Sequence, residues 1–317
     1  MHRASSPGFV RLCGASLAFV FATGSASFAK AEDTGGCGAR AFLLDTVLKS
    51  ICGRPTGEWT PLQGLADGWL DPWVPPRGAG SSGAPRQGWI NSFDGHFTRE
   101  GHLVYSFTNE TADGRDAHLG LTQIQTPLSR RLWIGVDLPF VTALESDRGL
   151  PSEAGFGDMS ITPGVMLYER EDVSLSGRLG IRVPTGDEQD GGGQTQFFPR
   201  LEFWSDLGDA WTLRGGAGVD VPTHARRGPD AVFVTNLAVG RTFTPHEATP
   251  FGDFAGYLAL TMRNDMGADE NHTFLSLTPG IRTHVGRGFF LLAGLEVPVV
   301  GPRPFEQRAT FAIVRGF

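Results

Sequence analysis

The sequence predicts an all-β protein: a transmembrane, antiparallel, up-and-down β-barrel of about twelve strands with a non-barrel N-terminal extension. Three observations predict it. From about residue 96 onward, apolar and polar side chains alternate in segment after segment. Short and long connections between those segments take turns along the chain. The last segment closes on an aromatic, with Phe311, Ile313 and Phe317 on one face and Thr310, Ala312 and Val314 on the other. That terminal strand is the segment expected to engage a barrel-assembly machinery.

The chain opens with the pattern of a secretory signal peptide over residues 1–31. Arg3 and Arg11 supply positive charge, Leu12 to Phe21 an apolar centre, and Ala29-Lys30-Ala31 a small-x-small cleavage site. A lone membrane anchor is the alternative, and the apolar stretch is short for one. The net charge of −7 over 317 residues gives no basic footprint for nucleic acid. A mean hydropathy of −0.12 is compatible with a barrel, because alternating strands leave the average near neutral. Cys37 and Cys52 remain after the signal, and in an oxidising compartment they form a candidate disulfide; two separate thiols are the alternative.

Residues 32–93 form the extension. A short helix is expected over Ala39 to Ile51, with Phe42, Leu43, Val47, Leu48 and Ile51 as its apolar stripe. A stretch rich in Trp, Pro and Gly follows, including Trp59, Trp69, Trp73 and Pro75-Pro76, and such a composition rarely makes regular elements. It is either a periplasmic segment, the favoured reading, or a plug folded into the lumen.

Residues 94–317 form the barrel. Leu132, Ile134, Val136, Leu138 and Phe140 alternate with Trp133, Gly135, Asp137 and Pro139. The same pattern recurs from Val173 to Pro184, Trp211 to Pro222 and Leu275 to His284. Successive side chains of a strand point to opposite faces, so each run has one apolar and one wetter wall. Strands are expected to start near Gly101, His118, Arg131, Gly157, Val173, Thr195, Ala210, Ala231, Pro250, His272, Gly288 and Gln307. An even count with alternating short and long links puts both barrel ends in the periplasm. The expected location is the cell outer membrane, with its lipid as the partner of the apolar faces. A secreted β-sandwich is the soluble alternative.

The wetter faces carry Arg178, Arg182, Arg200, Arg214 and Arg282 beside Asp137, Asp158, Glu202, Asp220, Asp253 and Glu296. Facing one lumen, these ions either pair as struts or form a constriction that orients a polar solute. No cofactor, metal ligand set or catalytic residue is expected. An outer-membrane lipid hydrolase would need a His activating a Ser, and none of the histidines of the mature chain stands in a His-x-Ser arrangement.

Gly155-Phe156-Gly157-Asp158-Met159-Ser160 and, one strand pair later, Arg182-Val183-Pro184-Thr185-Gly186-Asp187 carry a resemblance. They resemble the "meta-pathway of phenol degradation" group of transporter-like outer-membrane proteins, closely over Gly155 to Asp187 and more loosely to Phe317. The resemblance implies a β-barrel and passage of small organic or aromatic solutes. The expectation is therefore a channel or uptake transporter for small molecules. A lipid-modifying enzyme and a sealed structural barrel with an interaction segment are the alternatives.

Overall fold

The computed structural model describes residues 38–53, 58–62, 64–76, 84–112, 114–146, 155–186, 193–223, 229–267 and 272–317. The signal-peptide reading and Cys37 lie outside them. Cys52 is exposed and bonded to no other cysteine among the described residues.

Among the described residues one helix, α1 (Gly38–Cys52), precedes thirteen strands. They are β1 (Glu100–Asn109), β2 (Arg115–Pro127), β3 (Leu132–Ser146), β4 (Gly155–Phe156), β5 (Ser160–Glu169), β6 (Val173–Arg182) and β7 (Gln196–Gly208). Then follow β8 (Trp211–Pro222), β9 (Ala231–Thr242), β10 (Gly252–Met266), β11 (Thr273–Gly286), β12 (Phe289–Val300) and β13 (Gln307–Gly316). Neighbours pair antiparallel in sequence order, with β4 a two-residue patch on β3. The first strand pairs with the last, from Glu100↔Gly316 to Asn109↔Gln307, so the other twelve close into a ring. Closure leaves no unpaired edge, the condition for a sheet that crosses lipid.

Side chains sort by the predicted alternation. Leu103, Leu201, Leu237, Leu258, Ile281, Leu291, Phe311 and Ile313 are exposed on the outside of the ring. Their neighbours Ser174, Ser176, Arg214, Ala259, Ser276 and Val314 are fully buried on the inside. Exposed aromatics stand at both ends, with Tyr105 and Phe311 paired midway. Tyr168, Trp211, Phe243, Phe251 and Phe317 mark the short-turn end, and Phe156 and Phe197 the long-loop end. Paired aromatic belts are how such barrels meet the two membrane interfaces.

Most strand starts fall within two residues of the expected ones; β2 begins three residues earlier, at Arg115, the two-residue β4 is added, and β5 begins three residues later. The strand expected near Gly157 begins at Ser160, because Asp158 and Met159 are tied to the turn after β6. Gly186 N–H donates to Asp158 Oδ1 at 3.0 Å, Met159 N–H to Thr185 Oγ1 at 2.9 Å, and Val183 N–H to the Met159 carbonyl at 2.9 Å. The two halves of the family-like motif therefore clasp each other. A Cβ on Gly186 would sit 2.7 Å from the Phe156 carbonyl oxygen, so only glycine fits. Asp158 thus serves the clasp rather than the lumen wall. Asp253 also leaves the wall: it stands at a register shift in β10 and bonds His246 Nδ1 at 2.6 Å.

Two expectations for the extension are corrected. The helix forms where expected, yet Leu43 and Leu48 are exposed while Thr46 and Ser50 are buried. Hydroxyls hold it: Thr46 Oγ1 donates to the Leu70 carbonyl at 2.8 Å, and Ser50 Oγ accepts the Trp73 N–H at 2.9 Å. Arg99 binds the carbonyls of Ser50, Ile51 and Gly53, satisfying acceptors that the helix end leaves open. Residues 84–99, moreover, are not a segment outside the barrel, because the inner face of the ring supplies their partners.

If the outer face meets acyl chains, Leu258→Arg should weaken folding into lipid vesicles by about 2–4 kcal/mol, whereas Leu258→Ala should cost about 1–2 kcal/mol, the transfer energy of the lost carbons. Urea titration of vesicle-embedded protein measures the difference. Equal midpoints for the two variants would contradict a lipid-facing Leu258.

Candidate functional site

Residues 84–99 touch walls that face one another across the ring. Trp89 lies parallel to Tyr257 of β10 with ring centroids 4.7 Å apart. Ile90 packs with Leu292 of β12 and with Ala312 and Val314 of β13. Asp94 meets Arg214 of β8 at 2.7 Å, and the His96 carbonyl accepts from Arg178 of β6 at 2.9 Å. Phe97 stacks on Trp133 of β3, and Thr98 bonds Gln125 of β2. So short a stretch reaches all these strands only from within.

The stretch rises and returns. Ala84 N–H donates to Asp206 at the short-turn end, Asn91 bonds Thr278 midway along β11, and Arg99 is back beside Phe317. Asn91 and Gly95 take positive φ values of 52° and 64° at the bend. A Cβ on Gly95 would lie 2.2 Å from the Phe203 carbonyl carbon, so the bend presses on the β7 backbone. Below it, Leu62 joins Phe97, Trp133 and Met166 in a buried cluster, and Arg131 binds the Gly64 and Asp67 carbonyls. The short-turn mouth is packed.

Backbone groups buried without water need partners, and the wall provides them. Tyr257 Oη accepts the Ile90 N–H at 2.8 Å, and Asn236 Oδ1 the Phe93 N–H at 3.1 Å. Arg282 donates to the Gly88 carbonyl, Arg214 to that of Gln87, and Asn236 Nδ2 to that of Asn91. Arg214 is 0% exposed and sits 3.8 Å over the Trp89 ring while it pairs with Asp94. Burial pushes the Asp94 carboxyl up, opposed by Arg214 and Arg178. Burial first, then Arg214, Arg86 and Arg178, holds the His96 imidazole well below its ordinary value. Its Nδ1 donates to the Asp94 carbonyl at 2.5 Å.

Between the bend and the long-loop end lies a cavity of about 750 Å3, floored by Trp89, Asn91 and Phe93. One arc of its wall is polar. Cross-strand register places His102, Gln123, Asp137, Ser160, Arg182 and Gln196 side by side on β1, β2, β3, β5, β6 and β7. The facing arc carries Leu292, Ala312 and Phe305.

The sequence-predicted ions divide between these levels. Arg178, Arg182, Arg200, Glu202 and Asp137 line the cavity. Arg178 pairs with Glu202 at 2.9 Å, and Arg200 with Asp220 at 3.5 Å. Asp137 accepts from Gln123 at 2.8 Å, and Arg182 donates to Gln196 at 3.1 Å. Arg214 and Arg282 lie deeper, buried against the inner segment, with Asp94 and Glu100 as partners. Glu296 is buried between Ser276 and Arg308. Asp94, Glu100, Phe93 and Phe198 had no strand pattern or charge cluster to mark them in the sequence as part of this site. The histidines are also placed: His102 bonds Glu100, and His284 stacks on His246 at 4.1 Å.

A family model described as "Putative MetA-pathway of phenol degradation" matches residues 94–306. The chain belongs to this family. Among solved structures, it is similar to the COG4313 outer membrane channel from Pseudomonas putida F1, with a TM-score of 0.58 and 14% identity over 73% of this chain and 99% of that one. That similarity establishes a shared fold. The KdgM porin matches at a TM-score of 0.47 and 7% identity, over 69% of this chain and 99% of that one. The β domain of the Bordetella autotransporter BrkA matches at 0.45 and 16%, over 69% and 100%. No curated protein matches the chain. The family match begins at Asp94, inside the bend, so it takes in the carboxylate that anchors Arg214 along with the barrel.

Removing one member of a buried ion pair strands the other. Arg214→Met should loosen the inner segment by about 3–5 kcal/mol, and adding Asp94→Asn should recover part of that loss. Hydrogen exchange over residues 84–98 reads both; equal protection in all three proteins would deny the pair its anchoring role. His96 adds a pH dependence. Its pKa is lower when seated than when free, so the free segment binds more protons below about pH 6.5 and seating weakens as pH falls. Asp94, raised on seating, works in the opposite sense at lower pH. Protection in the wild type should drop between pH 7 and pH 5.5 more than in His96→Gln, and matching profiles would refute this.

Proposed function

We propose that the chain is an outer-membrane channel that passes small organic solutes by diffusion, closed in this conformation by residues 84–98. The single observation that carries the proposal is the cavity, which opens towards the long loops and ends on the inner segment. The closed ring, its apolar exterior and its aromatic belts support the membrane setting. The short-turn end, where both ends of the barrel lie, is then periplasmic, and the loop end faces outward. The pattern of residues 1–31 supports export by a cleaved signal, and the exposed Phe311 and Ile313 support recognition of β13 during assembly.

Passage requires the inner segment to move. It is held by side-chain pairs rather than by strand ladders, so it is separable from the wall without opening the ring. Of the sequence candidates, Arg178, Arg182, Arg200, Asp137 and Glu202 would meet a solute above the segment. Arg214 and Arg282 would act as its latches, Asp220 and Glu296 as struts of the wall.

A second reading, a sealed structural barrel, draws on how fully the wall satisfies the segment's backbone. Conductance separates the two. Gly95→Val places atoms where the β7 backbone stands, so it should unseat the segment and raise single-channel conductance severalfold while the barrel still folds. A folded Gly95→Val protein as silent as the wild type, in both bilayers and liposome swelling, would favour the sealed barrel.

A further inference from the structure

The cavity wall carries a stack in which aromatic rings and guanidinium groups alternate. The Arg200 guanidinium carbon lies 4.8 Å from the Phe93 ring centroid and 5.6 Å from that of Phe198, and that of Arg182 lies 5.0 Å from Phe198. The order from floor to mouth is Phe93, Arg200, Phe198, Arg182. A guanidinium whose face is covered by a ring keeps its edge N–H groups free to point into open space.

Among the described residues, a direct ion pair reaches only one of these two arginines. Arg182 has the neutral Gln196 amide as its hydrogen-bond partner. Arg200 and Arg263 share one carboxylate, Asp220, at 3.5 and 3.2 Å. Two stacked cations thus line a dead-ended cavity. Gly180 opposes Phe198, and a Cβ there would come within 3.1 Å of the Phe198 side chain, so the glycine lets the ring lie close against the β6 backbone.

We propose that this stack is a binding site for small monocarboxylates with a flat, apolar body. The carboxylate takes the edge donors of Arg182 and Arg200, which match a two-oxygen acceptor. The apolar body packs against the edges of Phe198 and Phe93 in place of water. The site deepens the channel reading and rests on it for the solute's access. It makes the cavity a selective stop above the inner segment rather than a water-filled antechamber.

Calorimetry on the full chain in detergent tests it, with benzoate as the probe and benzyl alcohol, acetate and benzylammonium as comparators. Benzoate should bind at least about tenfold more tightly than each comparator, and Arg182→Gln and Arg200→Gln should each weaken it about tenfold. Phe198→Leu should weaken benzoate more than acetate. Heat-modifiable migration on gels confirms that each variant is folded. Benzyl alcohol binding as well as benzoate, or benzoate affinity indifferent to both arginine substitutions, would overturn the site. Absence of benzoate binding at millimolar concentration would overturn it too. Liposome swelling keeps the outcomes apart. Arginine-dependent benzoate binding without solute passage would defeat the channel reading alone, and passage without binding would defeat this inference alone.

Discussion

Irregular backbone inside a lumen is tolerated only if the surrounding wall answers its hydrogen-bonding groups, and that constraint organises this molecule. Residues 84–99 have no ladder of their own. Tyr257, Asn236, Arg282 and Arg214 each give a side-chain atom to a main-chain group of the segment. Arg214 binds the Asp94 carboxylate as well, and Trp89 covers its face. A fully buried guanidinium is costly alone, so Arg214 and the bend depend on each other. The inward faces of β8 to β11 are therefore shaped for a piece of the same chain.

The rest of the lumen follows from where that piece stops. Above it, the arc from β1 to β7 carries polar groups in one cross-strand row, while β12 and β13 contribute Leu292 and Ala312 beside Thr310 and Arg308. The clasp between Asp158 and the Thr185-Gly186 turn joins the start of β5 to the end of β6 beside the Arg182 wall. The family-like motif is thus legible as a structural fastening at the mouth, next to the residues that line it.

Much of the barrel was legible in the sequence because lipid and lumen impose a period of two on every strand. Leu132 to Phe140 and Phe311 to Val314 sort in space as they sort in the sequence. The segmentation missed by a few residues where a side chain captured the backbone, as Thr185 does at Met159. The inner segment was illegible for a different reason. Its partners are single residues on strands far along the chain, and Trp, Pro and Gly without a period carry no address. Asp94 stands next to Gly95 and reads as loop; that it answers Arg214 emerges only when the ring closes. The α1 stripe misled because the helix is held by the Thr46 and Ser50 hydroxyls rather than by its leucines.

The central claim is that the inner segment is what closes the lumen. A reversible tether measures it most directly. Asn91 and Thr278 bond across the lumen, Nδ2 to Oγ1, at 3.1 Å. Asn91→Cys with Thr278→Cys, in a chain whose own cysteines are replaced by serine, fixes the bend to β11 when oxidised. The account predicts that the oxidised protein shows no openings in planar bilayers and that a reductant restores them in the same membrane. Identical openings before and after reduction, with the cross-link verified by mass, would contradict it.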